Sequence, residues 1–249
     1  MDDFSLLIDL HHRQPRQGPG GDRETALALA LSGLKGRTGL KIADIGCGTG
    51  AATLVLATAL DATITAVDLF PAFLGTLDAR AGEVGLSDKI QTLSASMEAL
   101  PFEEGSLDAI WSEGAIYNLG FAKGAALWRP LLKSGGVLAV SELTWLTKDR
   151  PDELTEHWHK VYPEVDTASA KLHVLEAAGY EPLGYFPLPE RCWLENYYDP
   201  IEAGFEAFLA RHHHSDAARA LVDAEQREIS LYRRYSDYVS YGFYIARRL

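Results

Sequence analysis

The chain has 249 residues, 47% of them hydrophobic and 23% charged, with a formal net charge of −12. That length accommodates one α/β domain with insertions, and no apolar run approaches the roughly 20 residues of a membrane-spanning helix. The acidic balance disfavours phosphate backbones and anionic membrane surfaces, so neither a nucleic-acid partner nor a membrane is expected.

The opening MDDFSLLIDLHH lacks a basic stretch and a small-residue cleavage site, so no signal peptide is expected. Two cysteines, Cys47 and Cys192, suit a reducing, cytoplasmic setting better than a disulfide framework. Residues 13–21, RQPRQGPGG, hold two prolines and three glycines and predict an irregular arm. A helix follows over 22–34, with Asp22 near its cap.

Strand-like and helix-like segments then alternate. KIADIG (41–46), ATITAVDL (62–69), KIQTLSAS (89–96), SLDAIWS (106–112) and VLAVSEL (137–143) read as strands. Helices are expected over about 51–60, 71–84 and 122–132. Beyond them, 151–178 and 200–235 read as helical, and EPLGYFPLP (181–189) and YGFYIARR (241–248) as late strands. The pattern predicts a doubly wound, mostly parallel seven-stranded sheet with a late antiparallel strand and helical insertions over its active edge. One domain, 1–249, is expected. It comprises an N-terminal arm and helix (1–36), a cofactor-binding core (37–145) and substrate-side helices with a terminal hairpin (146–249).

The chemistry concentrates at IADIGCGTGAATLVLA, 42–57. Gly46, Gly48 and Gly50 permit close backbone approach to a ligand, and the helix behind them presents unpaired N–H groups. Gly46 to Ala51 also fits the G-x-G-x-x-A dinucleotide fingerprint, and Asp68, ending the second strand, is placed for ribose hydroxyls in either reading. Asp44 distinguishes the two. A carboxylate two residues before the first glycine suits a ligand ammonium and would be unwelcome beside a pyrophosphate.

IADIGCGTG followed by Asp68 resembles motif I and the second-strand acid of class I S-adenosylmethionine-dependent methyltransferases. SASMEALPF (94–102) is similar to the third-strand signature of members that methylate quinones, sterols and amines. RQGPG (16–20), WSEGAIYNLGF (111–121) and CWLENYYDP (192–200) look like a bacterial subgroup acting on small molecules. The resemblance implies S-adenosylmethionine as cofactor, S-adenosylhomocysteine as product, a small-molecule methyl acceptor and no metal. It implies that Gly46 and Gly48 pack against the cofactor's amino-acid portion and ribose, that Asp68 holds the ribose, that Leu69 lies beside the adenine and that Ser96 and Met97 flank it. Many relatives carry aspartate where Ser96 stands, which leaves the adenine contact to Ser96 or to Glu98.

In such a fold the fourth strand ends beside the cofactor's methionine portion. Glu113 is therefore expected to hold the cofactor ammonium and, with Tyr117, to act catalytically, while Tyr117 and Asn118 face the acceptor. Arg16 and Gln17 are expected to close over the cofactor, and Trp145, Trp193 and Tyr197 to line the substrate side. Methyl transfer needs a general base only when the acceptor must lose a proton, for which Glu113, Glu142, His157 and His159 are candidates. Two other readings stay open: a non-catalytic cofactor-binding regulator or scaffold, and an NAD-dependent reductase. Consecutive His212, His213 and His214 point in different directions on a helix and read as a solvated helix end.

Overall fold

The computed structural model describes residues 3–249. Helix α1 (Asp3–His12) and the irregular arm precede α2 (Asp22–Ser32). The alternating half follows as β1 (Leu40–Ile45), α3 (Ala51–Ala59), β2 (Ala62–Asp68), α4 (Pro71–Glu83), β3 (Ile90–Ser94), β4 (Leu107–Glu113) and α5 (Phe121–Trp128). Then come β5 (Leu132–Trp145), α6 (Asp152–Val161), the two-residue β6 (Asp166–Thr167), α7 (Ala168–Ala177) and β7 (Tyr180–Pro187). Helices α8 (Asp199–Arg211) and α9 (Asp216–Tyr235) lead into β8 (Val239–Arg248).

The strands order as β3-β2-β1-β4-β5-β8-β7, with β6 beside β5. Strands β1 to β5 run parallel, and β8 enters antiparallel between β5 and β7. Strand alternation sorts the side chains into two layers. Trp111 and Phe243 point into the core beneath α2, α3 and α4, whereas Ile110 and Tyr244 point into the core beneath α5 and α7. A third apolar cluster, built on Trp158, Trp193, Tyr198, Phe208 and Tyr232, unites α1, α6, α8 and α9.

The two long helical stretches are each divided. Tyr162 is extended, as the residue before a proline prefers, and Pro163 separates α6 from α7. His213 and His214 adopt left-handed φ values of 52° and 49° and end α8, after which the Ser215 side chain caps α9. Strand β5 begins earlier than expected. Leu107 pairs with Leu132 and Ala109 with Val137, so the ladder is interrupted around the Gly135 turn, where φ is 74°.

Candidate active site

The strand order reverses between β1 and β4, and a doubly wound sheet opens a crevice at the carboxyl ends of its strands there. A cavity of about 640 Å³ occupies that edge, a size typical of small-ligand sites. Its β1–β3 side is lined by Gly46, Gly48, Asp68, Leu69, Ser96 and Met97.

Gly46 and Gly48 take φ values of 72° and 55°. A Cβ on Gly46 would overlap the Ala115 side chain, and one on Gly48 would overlap Gln17 Oε1, so both positions need glycine for conformation and for space. Asp68 is oriented by its neighbours: Oδ2 accepts from Gly48 N at 2.9 Å and Oδ1 from Phe70 N at 2.9 Å. Burial raises its carboxyl, against these backbone donors. Each oxygen keeps a lone pair for a ligand hydroxyl.

The arm is docked on this side. Gln17 Oε1 accepts from Thr49 N at 2.8 Å and Thr49 Oγ1 at 3.0 Å, while its amide donates to the His11 and Gln14 carbonyls. Gln17, Gly18 and Pro19 thereby form part of the cavity wall.

Four residues expected at the site, Glu113, Arg16, Asp44 and Trp145, do not line the cavity. Glu113 is the last residue of β4, and alternation places its side chain on the Trp111 face rather than over the strand end. Its Oε1 accepts from Trp111 Nε1 at 2.9 Å and Thr25 Oγ1 at 2.7 Å, and its Oε2 meets Arg16 Nη1 at 3.3 Å. The cation that Glu113 holds is therefore Arg16, which also binds Asp22, and neither Glu113 nor Arg16 lies on the cavity wall. Asp44 stands behind the wall, where it accepts from Thr53 Oγ1 at 2.6 Å. Burial, aided by the charges of Glu113 and Asp68, pushes its carboxyl up to about 7. Trp145 packs in the third cluster, with the Arg150 guanidinium 4.5 Å from its ring centre, and does not reach the cavity.

Tyr117, Asn118, Trp193 and Tyr197 do line the cavity. Tyr117 is half exposed at its edge and meets Tyr162 edge-on. Trp193 is held by its Nε1 donating to Ser240 Oγ at 3.0 Å and by stacking on Tyr232.

Residues 43–140 match the family model described as "Methyltransferase domain". Over 137 residues the chain is 34% identical to a ubiquinone/menaquinone biosynthesis C-methyltransferase of Allorhizobium ampelinum, covering 53% of this chain and 52% of that one. The chain spans about half the length of the curated relatives it matches. Among solved structures, a SAM-dependent methyltransferase from Thiobacillus denitrificans in complex with S-adenosyl-L-homocysteine superposes with a TM-score of 0.83 at 16% identity, covering 99% of this chain and 98% of that one. Residues 43–140 are thus similar to the methyltransferase domain family, and the fold of the whole chain is that of the solved methyltransferase. The same fold occurs in the [4+2]-cyclase SpnF, with a TM-score of 0.75 and 20% identity over 98% of this chain and 92% of that one.

The far side of the cavity, under β5 and α9, holds residues that sequence reasoning missed. His11, Trp158, Tyr162, Glu225, Glu228 and Tyr241 line it, together with Glu142, expected only as a base candidate. His157 and His159 lie off the wall. Glu225 and Glu228 are three apart on α9 and share a face, a spacing visible in the sequence once α9 is known to turn that face inward.

Proposed function

We propose that the protein transfers a methyl group from S-adenosylmethionine to a small-molecule acceptor by in-line displacement, releasing S-adenosylhomocysteine. The observation that carries this reading is Asp68, fixed by two backbone donors on the wall of a cavity that continues past the glycine turn to residues of β5 and α9. The cradle between Gly46, Gly48, Leu69 and Met97 fits a nucleoside with an amino-acid tail. When bound, that cofactor supplies an activated methyl on a sulfonium, so the chain's own tasks are alignment and exclusion of water.

Asp68 orients the ribose. Leu69, Ser96 and Met97 border the adenine, with Glu98 beside them. Gln17, Gly18 and Pro19 cover the donor side. Tyr117, Asn118, Trp193 and Tyr197 border the acceptor. A scaffold has no need of a cavity that extends beyond the cofactor cradle to Tyr117, Trp193 and Tyr197, which favours catalysis over a purely regulatory binder.

Calorimetry tests this directly. Both S-adenosylmethionine and S-adenosylhomocysteine should bind, and Asp68→Ala should weaken each by about 1.5–3 kcal/mol through loss of charge-assisted hydrogen bonds. NADH binding without S-adenosylmethionine binding would refute the assignment.

A further inference from the structure

The wall of the cavity is electrostatically one-sided. Among the described residues it carries five carboxylates, Asp68, Glu98, Glu142, Glu225 and Glu228, and neither lysine nor arginine. Asp68 and Glu98, the latter ion-paired to Lys123 at 2.6 Å, belong to the β1–β3 side. The other three converge on the far side of the cavity from β5 and α9, two elements that reach it from different parts of the fold.

Around these three carboxylates stand Tyr117, Tyr162, Tyr197, Tyr241, Trp158 and Trp193. Aromatic faces attract cations, and carboxylates at the ends of such a chamber add charge. The chamber also holds polar groups short of partners. His11 Nδ1 and Trp158 Nε1 are buried and make no hydrogen bond, and Glu142 Oε2 and Tyr162 Oη, which lie near enough to act on each other, have no partner beyond that contact. Each belongs to a wall residue no more than 9% exposed. Buried polar atoms are rarely left so; Glu142 Oε2 accepts and Tyr162 Oη and His11 Nδ1 can accept, which suits a ligand with donors of its own, whereas Trp158 Nε1 can only donate.

Charged groups also approach these carboxylates from the neighbouring elements. Lys171 of α7 is the buried cation whose charge acts on Glu142, but its Nζ donates to the Glu164 carbonyl at 3.2 Å, lies over the rings of Phe121 and Tyr162, and is off the wall. Glu164 and Asp166 offset it further. On the other side Glu228 accepts from Tyr198 Oη at 3.0 Å, and Glu225 lies 3.7 Å from His11 Nε2. Burial pushes the carboxyls of Glu142 and Glu228 up to about 7, against the charge of Lys171 at Glu142 and reinforced by the charge of Glu225 at Glu228.

We infer that the methyl acceptor is an amine that enters as its ammonium ion, held between the tyrosine and tryptophan rings by Glu225 and Glu228, with Glu142 as the group that takes its proton. This rests on the methyltransferase reading above and names its substrate class. The proton leaves the ammonium nitrogen for Glu142 Oε2, and the N–H bonding pair remains on nitrogen as a lone pair. That pair forms the N–C bond to the donor methyl. The C–S bond breaks with its electrons on sulfur, which becomes a neutral thioether, and the methylated nitrogen carries the positive charge.

Benzylamine and benzyl alcohol, nearly equal in shape and opposite in charge character, serve as probes. Their dissociation constants are measured by ligand-observed NMR on the protein saturated with S-adenosylhomocysteine, and S-adenosylhomocysteine affinity is measured separately as a control. Benzylamine should bind roughly tenfold tighter than the alcohol, and the gap should close in Glu142→Gln and in Glu228→Gln while both variants keep wild-type S-adenosylhomocysteine affinity. Equal binding of the two probes, tighter binding of the alcohol, or no detectable benzylamine binding overturns the inference. So does S-adenosylhomocysteine release driven by phenols or quinols but by none of a panel of primary and secondary amines. In all these outcomes S-adenosylhomocysteine still binds and the methyltransferase reading stands; loss of cofactor binding to the wild-type chain is the separate result that would remove that reading.

Discussion

Tyr117 and Trp145 are both aromatic residues at or just beyond strand ends on the active edge, yet they do different things. Trp145 is 3% exposed and packed among apolar neighbours, so Trp145→Ala should cost about 3–5 kcal/mol of stability by opening a cavity, with little change in cofactor affinity. Tyr117 is 43% exposed and borders the chamber. Tyr117→Phe should leave both the denaturation midpoint and the S-adenosylhomocysteine dissociation constant near wild type, and lower turnover once an acceptor is in hand. A large loss of stability in Tyr117→Phe would reassign it to the core. The same lesson separates Asp68 from Asp44. Both acids were legible beside the glycine turn, but sequence position does not reveal that Thr53 on α3 takes up Asp44 while backbone donors aim Asp68 at the cavity.

Elements were legible where periodicity and punctuation agree. The glycine turn, the five parallel strands and the late strand all fall close to their expected places, because alternation and β-branched runs are local signals. Helix α1 was not foreseen. Ten residues are too few to persist alone, and this helix is held by Leu6 and Leu10 packing into the third cluster, a tertiary cause. The substrate-side carboxylates were missed for a related reason: which face of α9 turns inward depends on α1, α6 and α8 being present. Glu113 was misplaced by reading a strand end as a loop.

The arm between α1 and α2 gains its order from the buried pair of Arg16 and Glu113, 11% and 8% exposed. Arg16→Ala strands the Glu113 carboxylate, so amide exchange over residues 16–21 should quicken, with a stability loss of about 3 kcal/mol. Exchange in β1 should rise only as far as that global loss requires. Unchanged exchange in the arm would mean that Gln17 and the glycine–proline backbone hold it unaided.

For the molecule as a whole, three buried carboxyls set the pH response. Asp44, Glu142 and Glu228 are each raised to about 7 from ordinary values of 3.8, 4.5 and 4.5. The folded chain therefore keeps protons that the unfolded chain releases near those ordinary values. The stability they contribute is complete below about pH 4 and is lost as pH climbs through about 7. The urea midpoint of the ligand-free protein should fall between about pH 5 and about pH 8, and the fall should shrink when Glu142→Gln and Glu228→Gln are combined. A midpoint that rises across that window would contradict the assignment.

The insertion of β8 between β5 and β7 has a kinetic side. Strands β1 and β2 pair residues such as Leu40 and Ala62, whereas β5 and β8 pair Val137 with Arg247 and Trp145 with Val239, about a hundred residues apart along the chain. Closing a loop of that length costs entropy before any contact repays it, so assembly is ordered in time. The nucleoside-binding half collapses from near neighbours, and the β5 edge waits, open, for its antiparallel partner. Glu142 faces Gly242 across that pair, next to Tyr241. The surface proposed to meet the acceptor is thus completed last, and until then the exposed edge of β5 is the place where the nascent molecule is most open to pairing with a stranger.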